Sequence, residues 1–231
     1  MRYSIENPMA YIDANIIGFI NILESCRNNG VKNLSYASSS SVYGLNESYP
    51  FSTFDNVDHP MSLYAATKKS NELMAHTYSH LYGISTTGLR FFTVYGPWGR
   101  PDMALFDFTK NILADQAIEV FNNGDMKRDF TYIDDIVQGI SVVSQNMSER
   151  ETYCIGNGKQ VNLMDFISEI EKNLDKTAEK IYKPHHPADA LETWSDTTKI
   201  EKLGYKSTTP IDRGVENFVQ WYRNYFGKNH D

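Results

Sequence analysis

Cysteine and positive charge are both scarce in this 231-residue sequence. Cys26 and Cys154 are the only cysteines. They lie far apart and outside any metal-ligand spacing, which argues against a disulfide framework or a cysteine-bound metal and fits a reducing compartment. Both are expected as buried thiols. Lys and Arg number 22 against 29 Asp and Glu, for a net charge of -7. A general surface for nucleic acid or an anionic membrane needs clustered cations, so that balance excludes one and makes any phosphate site local. No apolar run approaches the roughly 20 residues that a membrane-spanning helix needs. With no signal segment or anchor visible, the cytoplasm is the expected compartment. Apolar residues, in contrast, make up 41% of the chain, enough for one substantial core or a core with a small satellite lobe. The 15 tyrosines and 12 phenylalanines are expected mostly in core and loop packing.

Periodicity organises the rest. Ile12, Ile16, Phe19, Ile20 and Leu23 recur at helical spacing and predict a helix over Tyr11 to Asn29, stopped by Gly30. A short buried strand is predicted over Asn33 to Ser38, with the serine run Ser38 to Ser41 at its C-terminal end. After a turn-rich loop, a helix is predicted from about Tyr64 to Tyr82, with Ser62 as N-cap and Gly83 past its end, and then a strand over Thr86 to Val94. Strand, loop, helix, strand is the order that a parallel sheet with helical crossovers requires. From Gly96 the pattern loosens into a second lobe. Its predicted helices lie at Ala104 to Ala114, at a segment capped by Asp134 or Asp135, at Met164 to Leu174 and at Pro210 to Tyr225. Its predicted strands lie at Ile118 to Asn122, Phe130 to Ile133 and Thr152 to Ile155.

Tyr64 and Lys68 stand four apart on the long helix and so project from one face. A tyrosine that serves as a base near neutral pH needs its phenolate stabilised, and a nearby ammonium does that. The same spacing also suits a tyrosine packed beside a solvated lysine. The context separates the two readings. Ser39 precedes Tyr64 by 25 residues at the end of a parallel strand, and ligands of open α/β sheets sit outside the strands' carboxyl ends.

Here the sequence resembles the extended short-chain dehydrogenase/reductase family, which places Ser or Thr, Tyr and Lys in this order. The matching text is S-S-S-S-V-Y-G at Ser38 to Gly44 and Y-A-A-T-K at Tyr64 to Lys68. Further matches are L-R-F-F-T-V-Y-G-P-W-G-R-P-D-M at Leu89 to Met103 and R-D-F-T-Y-I-D-D-I at Arg128 to Ile136. Together these are similar to the UDP-glucuronate 4-epimerase branch, and the likeness runs from Arg2 to about Tyr205.

The resemblance implies an incomplete Rossmann-type doubly wound parallel sheet over residues 1–96, carrying the catalytic residues, and a smaller C-terminal α/β substrate lobe over residues 97–231. It implies NAD as cofactor, a UDP-sugar substrate, no nucleic acid or membrane partner, and a homodimer through the first two long helices. Tyr64 would take the proton from the hydroxyl on sugar carbon 4, Lys68 would hold the nicotinamide ribose, and Ser39 would orient the reacting hydroxyl. Phe91 would line the nicotinamide side, and Asn15 would support the active-site strand on the cofactor side. Arg100 is tied to substrate choice, because a guanidinium pairs with a carboxylate at two points; Ser40, Ser41 and Thr93 would add hydrogen bonds. Arg128 resembles the arginine that contacts the UDP diphosphate, and Asp189 an acid near the nucleotide, although H-H-P-A-D-A departs from the family's Q-P-G-D-V.

Three related chemistries fit less well. Dehydratases of this family follow the Ser39 position with an Asp-Glu pair, and decarboxylases carry Glu where Ser41 stands. UDP-galactose epimerases usually have Asn where Thr93 stands. His76 and His80 have a zinc-compatible spacing but turn away from the Tyr64 face and have no third ligand, so they are expected in solvent. The family's G-x-x-G-x-x-G turn, which holds the NAD pyrophosphate on backbone amides, has no counterpart here. The expectation is therefore either an epimerase whose remaining segment lies elsewhere or a silent remnant that folds and dimerises without NAD.

Overall fold

The computed structural model describes residues 3–187 and 189–227; Arg2 and Ala188, both within the resembling stretches, lie outside them. The first predicted helix starts earlier than the periodicity suggests and is not uniform. Helices α1 (Tyr3–Glu6) and α2 (Pro8–Tyr11) lead through a π turn, Ile12–Ile17, into α3 (Gly18–Asn28). Asn7 caps α2 by accepting from the Ala10 amide at 3.3 Å, and Pro8 follows where a helix needs no amide donor. The wider π turn is held from outside. Asn15 Nδ2 donates to Thr67 Oγ1 at 2.9 Å. Asn71, with its amide oriented to donate, reaches the carbonyls of Asn15 at 2.8 Å and Thr67 at 3.0 Å. Cys26, expected as buried, is only partly so on α3.

Strands β1 (Asn33–Ser39), β2 (Ser85–Phe91) and β7 (Arg150–Ile155) form a parallel sheet in the order β1-β2-β7. Ser39 pairs with Phe91, and Phe91 with Ile155, at its carboxyl end. Between β1 and β2 runs α4 (Leu63–Tyr82), capped as predicted: Ser62 accepts from the Ala65 amide at 3.2 Å. Gly83 closes it in the left-handed conformation, φ 66°, which a side chain would strain. α4 packs on the π turn, α3, β1 and β2. Among the described residues no strand pairs with the outer edge of β1, where Asn33, Ser35 and Ala37 are exposed.

The strand predicted over Thr86 to Val94 is two strands. The chain leaves the sheet at Phe92, whose amide donates to Ile155, and β3 (Thr93–Tyr95) then pairs with β6 (Phe130–Tyr132). Around β3 and β6 gather α5 (Ala104–Leu113), β4 (Ile118–Phe121), α7 (Leu163–Leu174), β9 (Lys180–Lys183) and α9 (Ile211–Phe226). Their core holds Ile118, Phe166 and Phe218, all but fully buried, with Phe130 stacked on Phe166 at 4.0 Å. Each such side chain contributes roughly 1.5–3 kcal/mol by leaving water. A short antiparallel pair, β5 (Lys127–Arg128) with β8 (Val161–Asn162), flanks this core.

Neither Asp134 nor Asp135 caps α6 (Ile133–Gln145), which starts after Tyr132 without a side-chain cap. Asp135 instead accepts from the amides of Thr208 (3.0 Å) and Thr209 (3.1 Å) and from the Ser207 and Thr208 hydroxyls, so it holds the segment before α9. A last short helix, α8 (Thr198–Glu201), packs on β7.

Candidate active site

The first turn of α4 carries Tyr64 and Lys68 to the carboxyl end of the sheet. Lys68 Nζ donates to the Ala37 carbonyl at 3.0 Å, which ties the helix to β1 two residues before Ser39. The same ammonium lies 6.0 Å from the centre of the Tyr64 ring. Burial lowers the Lys68 pKa from its usual value. Ser39 ends β1, accepts from the Ser41 amide at 3.2 Å and donates to the Ser41 hydroxyl at 3.1 Å. It caps the 3₁₀ turn Ser40–Tyr43, so Ser40 and Ser41 both sit beside it, partly buried. Phe91 is its cross-strand neighbour.

Two supports of this cluster are not visible in the sequence motifs. One is the polar inset that joins the π turn to α4. Thr67, which accepts from Asn15, donates to the Tyr64 carbonyl at 2.8 Å, so Asn15 braces the turn that carries Tyr64. Asn15, expected to support the active-site strand, is bonded here to α4. The other is a buried ion pair one turn further along α4. Arg90 on β2 donates to Glu72 through Nε at 2.9 Å and Nη2 at 2.8 Å. Ser38 donates to the same carboxylate at 2.6 Å. The free end of Arg90 donates to the Tyr43 hydroxyl at 3.1 Å, and Tyr43 contacts the Cys154 sulfur at 3.0 Å. Residues next to Ser39 and next to Phe91 are thus clamped to the helix that bears Tyr64 and Lys68.

Tyr11, on α2, was not singled out from the sequence. Its ring meets Tyr64 edge-on at 5.8 Å. Burial raises its pKa, against the pull of Arg100. Arg100 lies within Coulombic reach of both Tyr11 and Tyr64. Arg100 and Thr93 line one cavity of about 40 Å³ with Gly96, Gly99 and Met103. The guanidinium is exposed but engaged: Nε at 2.9 Å and Nη2 at 2.6 Å donate to the two carboxylate oxygens of Asp102. That contact holds the Asp102 carboxyl below its usual range.

Arg128 and Asp189 are also brought together. Arg128 donates to the carbonyls of Lys127, Ala190 and Leu191, and burial lowers its pKa while the Asp189 charge opposes. Beneath them Asp129, fully buried, accepts from the amides of Asn157 (2.7 Å), Gly158 (3.1 Å) and Ser195 (3.0 Å), and from the Thr131 and Ser195 hydroxyls. Gly156 is required here, since a Cβ would lie 2.2 Å from Ser195 Oγ. His76 and His80 are exposed, as expected.

The model of the NAD dependent epimerase/dehydratase family matches residues 1–156. The chain belongs to that family. It is 55% identical to "Protein CapI" of Staphylococcus aureus, over 99% of this chain and 74% of that protein. It is 46% identical to "UDP-glucuronate 4-epimerase 4" of Arabidopsis thaliana, over 98% of this chain and 56% of the plant protein. Among solved structures, the UDP-glucuronic acid 4-epimerase of Bacillus cereus, in complex with UDP-glucuronic acid and NAD, superposes with a TM-score of 0.88. That enzyme is 33% identical, and the match covers 93% of this chain and 69% of its own. The mixed α/β fold with its parallel sheet is the one these epimerases share.

The residues of this epimerase/dehydratase family member fit one end of a dinucleotide. Lys68 bridges from α4 to β1 beside Tyr64, with Ser39 and Phe91 at the adjacent strand ends, which suits a nicotinamide ribose. For the pyrophosphate the sequence offers no glycine-rich turn after a strand.

Proposed function

We propose that this chain carries the catalytic and UDP-sugar portion of an NAD-dependent UDP-hexuronate 4-epimerase, interconverting UDP-glucuronate and UDP-galacturonate. The observation that carries this reading is Arg100, a guanidinium that lines one cavity with Thr93 and couples electrostatically to Tyr64. NAD, when bound, would supply reversible hydride acceptance at carbon 4, with Lys68 and Phe91 as the residues that would hold its nicotinamide end. Tyr64 takes the proton of the carbon-4 hydroxyl and later gives it back. Lys68, fixed on the Ala37 carbonyl, holds its positive charge beside that phenol and toward the ribose. Ser39 orients the reacting oxygen, Phe91 walls the nicotinamide side, and Asn15 keeps the Tyr64 turn in place through Thr67.

Oxidation at carbon 4 of a hexuronate makes a β-keto acid, which loses carbon dioxide readily. Arg100, with Thr93, Ser40 and Ser41, holds the carboxylate and resists the charge dispersal that this loss needs. Arg128 takes the diphosphate end of UDP, and Asp189 lies near the nucleotide. A homodimer through α3 and α4 is part of the same reading, supported by the exposed Ile17, Ile22, Leu73 and Leu81 on these helices and the π turn before them. A monomer at micromolar concentration by sedimentation would contradict the dimer.

Calorimetric titration tests the substrate. Arg100→Ala is expected to weaken UDP-glucuronate binding roughly 10-fold or more, as loss of a charge-assisted contact implies, and to leave UDP-glucose nearly unchanged. Equal binding of UDP-glucuronate by both forms refutes the assignment.

A further inference from the structure

The loop that bears Arg100 brings its own carboxylate to the fork. Asp102 meets Nε and Nη2 with one oxygen each, at 2.9 and 2.6 Å, which is the two-point geometry by which a guanidinium grips a free carboxylate. A turn closed by the Met103 amide on the Arg100 carbonyl, at 3.1 Å, keeps the acid beside the base. Neither partner is anchored by burial: each side chain is 68% exposed. Arg100 and Met103, on either side of Asp102, both line the cavity that Thr93 also lines. The result is an exposed cation at the rim of that cavity whose fork is filled by a movable anion of the same loop.

We propose that Asp102 is an autoinhibitory contact, an internal stand-in for the ligand's carboxylate that a uronate displaces from Arg100 as it seats. The proposal rests on the reading of Arg100 given above. An exposed ion pair is weak, so an incoming carboxylate, held at once by Arg100 and by the rest of the nucleotide sugar, displaces Asp102 readily. A neutral hexose offers nothing to exchange and meets a fork that is already neutralised. Asp102 thus competes with a ligand that brings a carboxylate and lowers its affinity, while a sugar that makes no use of the fork is left nearly untouched. The opposite role, that Asp102 merely orients Arg100 for the ligand, predicts the opposite sign.

The test titrates UDP-glucuronate and UDP-glucose, at low ionic strength, into the 231-residue chain as wild type, Asp102→Asn, Asp102→Ala and Arg100→Ala. Both Asp102 variants, changed at an exposed side chain, are expected to bind UDP-glucuronate about 2- to 5-fold more tightly than wild type, the range spanned by an exposed ion pair. The gain should shrink at about 1 M salt, and UDP-glucose should gain less than UDP-glucuronate does in the same Asp102 variants. If either Asp102 variant binds UDP-glucuronate equally or more weakly while Arg100→Ala also weakens it, the stand-in role is overturned and the uronate reading survives. If Arg100→Ala changes nothing, or the wild type binds neither nucleotide, the reading of Arg100 fails and this inference falls with it.

Discussion

Glu72 offers the most demanding stability test, because its removal leaves a buried cation without its counter-charge. In the ion pair the Arg90 and Glu72 side chains are 5% and 10% exposed. Glu72→Ala removes both guanidinium contacts, at 2.9 and 2.8 Å, and the acceptor of Ser38, and Arg90 keeps only the Tyr43 hydroxyl and ring. Breaking such a buried pair from one side costs about 3–5 kcal/mol, a large share of the about 5–15 kcal/mol that holds an ordinary domain together. For a chain of this size each kcal/mol moves the Tm by about 2–4 °C, so the expected loss is roughly 6–20 °C. Thermal denaturation followed by far-ultraviolet circular dichroism reads it. The paired change Glu72→Leu with Arg90→Met should lose much less, because no charge is then stranded. A Glu72→Ala midpoint within about 2 °C of wild type, or a double variant worse than the single one, would refute the reasoning.

Burial pushes the Cys154 thiol up to about 11, so near pH 8 it reacts only on unfolding while Cys26, partly exposed, reacts in the native chain. A native thiol titration that finds both cysteines equally fast would contradict that. The same raised value favours the folded state below the ordinary thiol range, so this contribution to stability is lost as pH rises from about 9 to about 11 and should be absent in Cys154→Ala, by urea unfolding at several pH values. If, as proposed, Lys68 and Tyr64 serve only the nicotinamide end, the 231 residues alone should bind NAD weakly or not at all by calorimetry; tight stoichiometric NAD in the purified chain would overturn this.

The sequence announces what is local. Ser62 and Gly83 bound α4 through capping chemistry that is written within four residues of each end, and the strand that delivers Ser39 is marked by the serine run at its end. Features that depend on distant partners are not announced. The π turn at Ile12–Ile17 exists because Asn15 and Asn71 exchange bonds with Thr67 and the Asn15 carbonyl across two helices. A single apolar run over Thr86 to Val94 gives no sign that Phe92 leaves one sheet while Thr93 joins Asp129 on another. Asp135 has the look of a cap, yet its acceptors are claimed by Ser207, Thr208 and Thr209, about 70 residues away. Tyr11 and Asp102 stood in plain view, the first one helical turn before Asn15 and the second inside R-P-D-M. Only their proximity to Tyr64 and Arg100 gives them meaning.

The central claim is that Tyr64, Lys68 and Ser39 carry out carbon-4 epimerisation of a UDP-hexuronate. Its most direct test joins this chain to the part of the Staphylococcus aureus relative that it does not span, the match covering 74% of that protein, and follows UDP-glucuronate with NAD by proton nuclear magnetic resonance. The account predicts UDP-galacturonate approaching the same mixture from either nucleotide, without net accumulation of reduced cofactor, and loss of that conversion in Tyr64→Phe. A folded, NAD-bound protein that yields no 4-epimer, or a Tyr64→Phe form that yields it at the wild-type rate, would contradict the account.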